Sequence, residues 1–263
     1  MPDARHIPEA VKRAVRQHCK FGCAICGSPI WDYDHIDDFA EGGTHDPDNL
    51  ILLCPNHHGE KTRGMLDREL VRSFRATPTN AKNEMSGVRT ILRASDQSAL
   101  ILGETILTSR IAETGYFTGI WVNGHILLGY QIEDGRLLLD MTLTTRDGNV
   151  VFEVCGGEAR VSTGVWDVNW VGNTLSVRST DHQIDTLLTF GHKAIRVYKG
   201  LFVDRQGCGV EVLSEHRVAL LCNMRPMSWF DGAHLDGGSV SFALLERNLE
   251  IEPPKGVVYL RGC

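Results

Sequence analysis

Four ligand-type residues come in two pairs with the same internal gap: Cys23 with Cys26, then Cys54 with His57. Two thiolates at that spacing can grip one tetrahedral metal ion, and the second pair completes a Cys3His set of the kind that closes a structural zinc site. Gly27 follows the first pair and relieves a crowded backbone turn. Thioredoxin-like redox chemistry is the competing use of a C-x2-C motif, but it leaves the second pair unexplained. A zinc ion held by all four residues would contribute on the order of 10 kcal/mol. The short loops around these pairs could hardly pack a core without it.

Between and just after the pairs lie Tyr33-Asp34-His35-Ile36, Gly42-Gly43, Asn49-Leu50, Leu53-Cys54, His57-His58 and Lys61. In this order and spacing the stretch resembles the HNH nuclease family, over roughly residues 15 to 65. One departure is that His57 stands where many members carry a fourth cysteine, and a Cys3His set binds zinc equally well. The resemblance implies a ββα-metal fold and hydrolysis of DNA phosphodiesters. It also implies Asp34 and His58 as ligands of a catalytic Mg2+, Mn2+ or other divalent ion, His35 as general base, and Asn49 as the middle residue of the motif.

The residues suit those tasks. Hydrolysing a phosphodiester needs an activated water and neutralisation of developing charge. Histidine titrates near neutrality and can take a proton from water. Carboxylate plus imidazole with open positions suits a cation that also grips phosphate oxygens. On a strand, Asp34 and His35 would point to opposite faces, so a twist or bulge is expected where the two meet one phosphate. An amide at Asn49 can hydrogen-bond the loop backbone and fix the base. Consecutive histidines at a helix start point about 100° apart, so His57 can face zinc while His58 faces the reacting group. Lys61, Arg63, Arg16 and Lys12 are the expected phosphate contacts. His45 reads as a loop residue, Asp37 and Asp38 as loop carboxylates, Trp31 and Tyr33 as core aromatics, and Gly42 and Gly43 as turn residues at positive φ.

The chain has 263 residues, enough for two domains, with net charge -6 and pI about 6.0. That balance does not announce a nucleic-acid binder. Bound divalent cations would offset part of the charge, and the cations cluster before and after the metal pairs. No apolar run approaches the roughly 20 residues that span a bilayer, and residues 1–19 lack the apolar segment of a signal peptide. A cytoplasmic location is expected, where eight cysteines serve as thiols or metal ligands. Cys155, Cys208, Cys222 and Cys263 lack ligand spacing.

Residues 8–19 read as a helix with an apolar stripe of Ala10, Val11, Ala14 and Val15, and with Lys12, Arg13 and Arg16 on the other side. A second helix is expected over 65–74, its stripe made by Leu66, Leu70, Val71 and Phe74. From about residue 100 short strands alternate with NG, DG, GN and KG turns. The expected class is α+β: an N-terminal ββα-metal module with helical flanks over 1–80, a linker over 81–99, and an all-β domain over 100–263. Ten or so strands in a sandwich or barrel fit that domain, as does a β-solenoid. Trp166 and Trp170, four apart, would share a strand face. Asp140, Asp167, His182 and Asp185 read as scattered surface residues.

The leading expectation is a metal-dependent DNA endonuclease whose β domain positions substrate, dimerises or gates cutting. That architecture would suit a bacterial defence or restriction effector. A double-strand break needs two sites, so a homodimer is a natural partner state. Gating would require an activating ligand for the β domain. The alternative is a zinc-knuckle DNA-binding or scaffold protein without catalysis.

Overall fold

The run Leu50-Ile51-Leu52-Leu53 is apolar on both faces, which suits a strand covered on both sides. A computed structural model of the chain describes residues 6–41, 43–86, 93–95, 99–108, 115–133, 136–191, 194–213, 217–236, 240–247, 249–252 and 256–261. In it these four residues form β2 (Leu50–Leu53), every one fully buried. Strand β2 pairs antiparallel with β1 (Asp32–His35), in unbroken register from Asp32 opposite Leu53 to His35 opposite Leu50. Helix α2 (Pro55–Thr62) follows at once, its first turn started by Pro55 after Cys54. The result is a strand–loop–strand–helix unit. It is flanked by α1 (Glu9–His18) and by α3 (Arg68–Ala76), whose N-cap Asp67 accepts from the Leu70 amide at 2.8 Å.

The chain folds as two compact units. The first is Met1–Thr90 with Arg160–Asn169, and the second is Ile91–Ala159 with Trp170–Cys263. The first unit has a small core of Val15, Phe21, Trp31, Ile36, Val71 and strand β2. The added segment is tied in locally. Ser86 N–H donates to the Val161 carbonyl at 2.7 Å, Thr163 N–H to that of Glu84 at 2.9 Å, and the Gln17 side chain to that of Trp166 at 2.8 Å.

Beyond the helices and the β1–β2 pair, the chain is built from strands in two sheets. One eight-stranded sheet runs in the order Glu158–Val161, Val150–Cys155, Arg136–Thr144, His125–Glu133, Tyr116–Val122, Val240–Leu245 and Gly256–Arg261, with Arg93–Ser95 also on Arg136–Thr144. The other, of ten strands, runs from Asp167–Val171 through Thr174–Arg178, Ile184–Phe190, Ala194–Val203, Gly209–Val212 and Arg217–Cys222 to Arg225–Asp231. Ala99–Leu102 joins this sheet in parallel with Ala194–Val203. Neighbouring strands are mostly antiparallel hairpins. Among the described residues, parallel pairings join Ala99–Leu102 to Ala194–Val203, His234–Asp236 to Thr105–Thr108, and Val240–Leu245 to both Tyr116–Val122 and Gly256–Arg261. Among the described residues the pairings close no barrel. No helix there is long and apolar enough to cross a membrane.

Several local expectations need correction. In α1 the covered residues are Val15 and Arg16, while Ala10 and Ala14 are exposed. The buried face is therefore chosen by an ion pair as much as by apolar periodicity. Met65 lies outside α3, exposed, because Gly64 at φ +73 ends the preceding turn. Gly43 has no positive φ; a Cβ there would stand 2.0 Å from the Asp37 carbonyl oxygen, so close backbone approach is what requires glycine. Gly42 lies outside the described residues. Trp166 precedes the strand Asp167–Val171 that carries Trp170, so the two do not share a strand. Asp167 is buried, against its reading as a surface residue.

Candidate active site and metal centre

Cys23 and Cys26 sit on a turn ahead of β1, and β2 delivers Cys54 to the start of α2. The turn closes with the Gly27 amide on the Cys23 carbonyl at 2.7 Å, Gly27 at φ +77. The Ala24 amide donates to Leu52 at 2.9 Å, clamping the turn to β2. One turn into α2, His57 Nδ1 lies 3.3 Å from Cys23 Sγ and 3.2 Å from Cys54 Sγ, and the Cys26 and Cys54 sulfurs are 3.8 Å apart. All four donor atoms lie within 4.8 Å of one another. A tetrahedral zinc with Zn–S of about 2.3 Å and Zn–N of about 2.0 Å implies edges of about 3.5 to 3.8 Å. The donor set and its spacing therefore fit a zinc ion. Hydrogen bonding to Cys26 holds the Cys23 thiol well below its ordinary value. That same bond, with burial, pushes Cys26 up, and burial raises Cys54. Three crowded sulfurs cannot all carry charge unaided, which a dication would allow.

The next histidine belongs to a different group. His58 Nε2 lies 3.6 Å from Asp34 Oδ1, while His57 faces the thiols. The helical rotation between consecutive residues accounts for the division. Lys61 Nζ is 3.1 Å from Asp34 Oδ2 and donates to the His35 carbonyl at 2.7 Å and to Asp38 Oδ1 at 3.2 Å. Its position allows ion pairing with Asp34 but not an aligned hydrogen bond, so the buried Asp34 Oδ2 has no hydrogen-bond partner. A buried carboxylate oxygen that is ion-paired but accepts no hydrogen bond, on a side chain that also faces an imidazole, fits a divalent cation.

His35, the last residue of β1, turns its ring to a different set of neighbours. Its Nε2 is 2.9 Å from His45 Nδ1, and its ring centroid is 5.5 Å from that of Phe39. Strand β1 reaches this point without the expected bulge. Burial, with His45 adding to it, lowers the His35 pKa below its ordinary value; Asp34 works the other way. Asn49 ties the intervening loop: its amide donates to the carbonyls of Asp37 and Thr44, each at 3.1 Å, and accepts from the Asp37 amide at 2.8 Å. The Ile36 amide donates to the Asn49 carbonyl at 2.8 Å.

The four expected phosphate-binding cations divide. Arg63 is exposed, and Lys12, half-buried, lies over the Tyr33 ring at 5.7 Å. Lys61 is turned inward, its side chain 10% exposed. Arg16 is 1% exposed and donates to Asp167 through Nε and Nη2, to Glu9 and to the Tyr33 hydroxyl. A guanidinium spent on these partners has no face left for phosphate, so its expected role is corrected to a structural one. Asp37 pairs with Arg72, and Asp38 with Lys61 and Arg68. Trp31 is core, its indole N–H donating to the Phe21 carbonyl at 3.2 Å.

His45 is the residue of this site that sequence reasoning passed over. The only hint was a titratable side chain between the glycines and Asn49. Residues 23–64 match the family model described as HNH endonuclease. No curated protein and no solved structure matches the chain. The chain thus carries an HNH endonuclease domain with a Cys3His cluster compatible with zinc, a module that supports metal-dependent nuclease activity.

Proposed function

We propose that the HNH domain hydrolyses DNA phosphodiester bonds, with His35 as general base and a divalent cation held by Asp34 and His58. The observation that carries this reading is Asp34, whose buried Oδ2 lacks a hydrogen bond while Oδ1 faces His58 Nε2 at 3.6 Å. Mg2+ or Mn2+ bound there would supply Lewis-acid stabilisation of the phosphate charge. His35 takes a proton from the attacking water at a ring nitrogen. Asn49 holds the 37–49 loop through three hydrogen bonds and keeps the segment beyond His35 in place. Lys61 anchors β1 through the His35 carbonyl and partly neutralises Asp34. Arg63 and Lys12 remain to contact backbone phosphates. Cys23, Cys26, Cys54 and His57 hold the zinc that frames the site. Three reduced thiols in that frame suit a cytoplasmic setting.

The second unit would decide when and where the domain cuts, by positioning DNA, by forming a homodimer with two sites, or by answering an activating ligand. A bacterial defence or restriction role fits such a pairing by analogy. One observation favours the non-catalytic alternative: Lys61 already balances Asp34, as a purely structural ion pair would. Plasmid digestion in Mg2+ or Mn2+ separates the two. His35→Ala should lower cutting by about 10²- to 10⁴-fold while zinc content and DNA affinity stay at wild-type levels. Equal cutting by the two proteins sinks the assignment of the base. No cutting by wild type, with no Mn2+ bound beside zinc, favours the scaffold.

A further inference from the structure

A neutral imidazole has one donor and one acceptor nitrogen, and a hydrogen bond at either one decides which is which. The 2.9 Å contact between His35 Nε2 and His45 Nδ1 is such a bond. Only one proton fits between the two nitrogens, so the pair sets the tautomers of both rings together. A base needs a lone pair toward the water it activates. With the proton on His35 Nε2, that lone pair lies on Nδ1; with the proton on His45 Nδ1, the His35 proton would lie on Nδ1 and block it.

His45 is also held in a way that a bystander would not need. Its ring stacks on Phe39 at 4.7 Å between centroids and 5° between planes, and the His35 and His45 centroids are 5.1 Å apart. Thr44, the residue before it, has its carbonyl fixed by Asn49 at 3.1 Å. On the other side the His35 carbonyl accepts from Lys61 at 2.7 Å. The three rings and the Asn49 amide form one support around the His35 side chain.

We propose that His45 is a positioning residue for His35: its Nδ1 accepts the hydrogen bond from His35 Nε2–H, fixing the ring and presenting Nδ1 to the attacking water. This rests on the nuclease reading of His35. It gives the motif's loop a second task beyond spacing the two strands.

The test uses the full chain loaded with zinc and a supercoiled plasmid in Mn2+. His45→Phe keeps an aromatic ring against Phe39 and removes the acceptor. It should lower kcat by about 10- to 100-fold, the usual loss when an orienting partner of a functional imidazole is removed, with KM and the thermal midpoint unchanged. Asn carries an oxygen where His45 Nδ1 lies, so His45→Asn should restore kcat to within about threefold of wild type. His45→Gln places its amide near the Nε2 position instead and should not. Long-range 1H–15N NMR of the wild type should show the His35 proton on Nε2. The proposal is overturned by wild-type kcat in His45→Phe while His35→Ala is dead, by equal rescue from Asn and Gln, or by a His35 proton on Nδ1. If His35→Ala itself cuts normally, the base assignment has failed and the proposal falls with it. Should the Phe variant not fold, the wild-type tautomer still decides.

Discussion

Stripping the metal from the Cys3His cluster is expected to unfold the first unit. The apolar core that would remain is small: β2, Val15, Phe21, Trp31, Ile36, Val71, Val161 and Val168 are its main fully or nearly fully buried side chains, and β1 and β2 are four residues each. A two-stranded ribbon of that length is marginal in water by itself. The turn at Cys23–Gly27 reaches the start of α2 through the cluster and β2 through the Ala24–Leu52 hydrogen bond, while Thr79 and Asn80 hold its other side. A structural zinc contributes on the order of 10 kcal/mol, which is as large as the whole stability of an ordinary domain at about 5 to 15 kcal/mol. Cys23→Ser with Cys26→Ser, or exhaustive chelation, should therefore abolish hydrogen-exchange protection of the Ala24 and Ile36 amides, which donate to Leu52 and Asn49. The intact protein should carry one zinc per chain at this cluster. Retention of those protected amides and of the thermal midpoint in the double serine variant would mean that the core holds without metal.

What could be read from residues alone, and what could not, follows from the range of each constraint. Ligand spacing is local. Cys23-x2-Cys26 and Cys54-x2-His57 place four donors within two turns of chain, and the continuous apolar run at 50–53 supplies the strand that joins them. The division of His57 from His58 needed only the rotation of a helix. The strand-rich second half was legible from its turns. At the Asn123–Gly124 hairpin, both residues take the positive φ that an NG turn demands, +48° and +92°. Its partition into two sheets was not legible, because the parallel pairing of Ala99–Leu102 with Ala194–Val203 joins segments nearly a hundred residues apart, with no local signature. His45 was missed for a related reason. Its meaning depends on the path of a loop, and that path depends on three hydrogen bonds from Asn49. Arg16 was misplaced because helical periodicity assigns residues to faces without saying what covers each face. Here the cover is Asp167, 151 residues away.

That distant carboxylate sets the second large effect. Replacing Asp167 by alanine should destabilise the first unit by about 3 to 5 kcal/mol, the cost of leaving a buried charge without its partner. Arg16 Nε reaches Asp167 Oδ1 at 2.7 Å and Nη2 reaches Oδ2 at 2.8 Å, a two-pronged pair whose side chains are 1% and 4% exposed. Burial opposes the Arg16 charge, and the hydrogen bonds to Asp167 and Glu9, with the electrostatic pull of Tyr33 and Asp167, outweigh it, holding its pKa above the ordinary value. Without Asp167 the remaining anion is Glu9, itself largely exposed and weakly able to compensate. Arg16→Met combined with Asp167→Leu should recover most of the loss, since an apolar pair of similar volume avoids the desolvation cost altogether. The same geometry changes how a truncation must be read. Ending the chain near residue 95 removes Arg160–Asn169 from the unit to which they belong, and Asp167 with them. An inactive 1–95 fragment would then report a broken nuclease module and say nothing about gating by the second unit. A full-length Asp167→Ala protein with an unchanged midpoint for the first unit would remove that objection and show the pair to be dispensable.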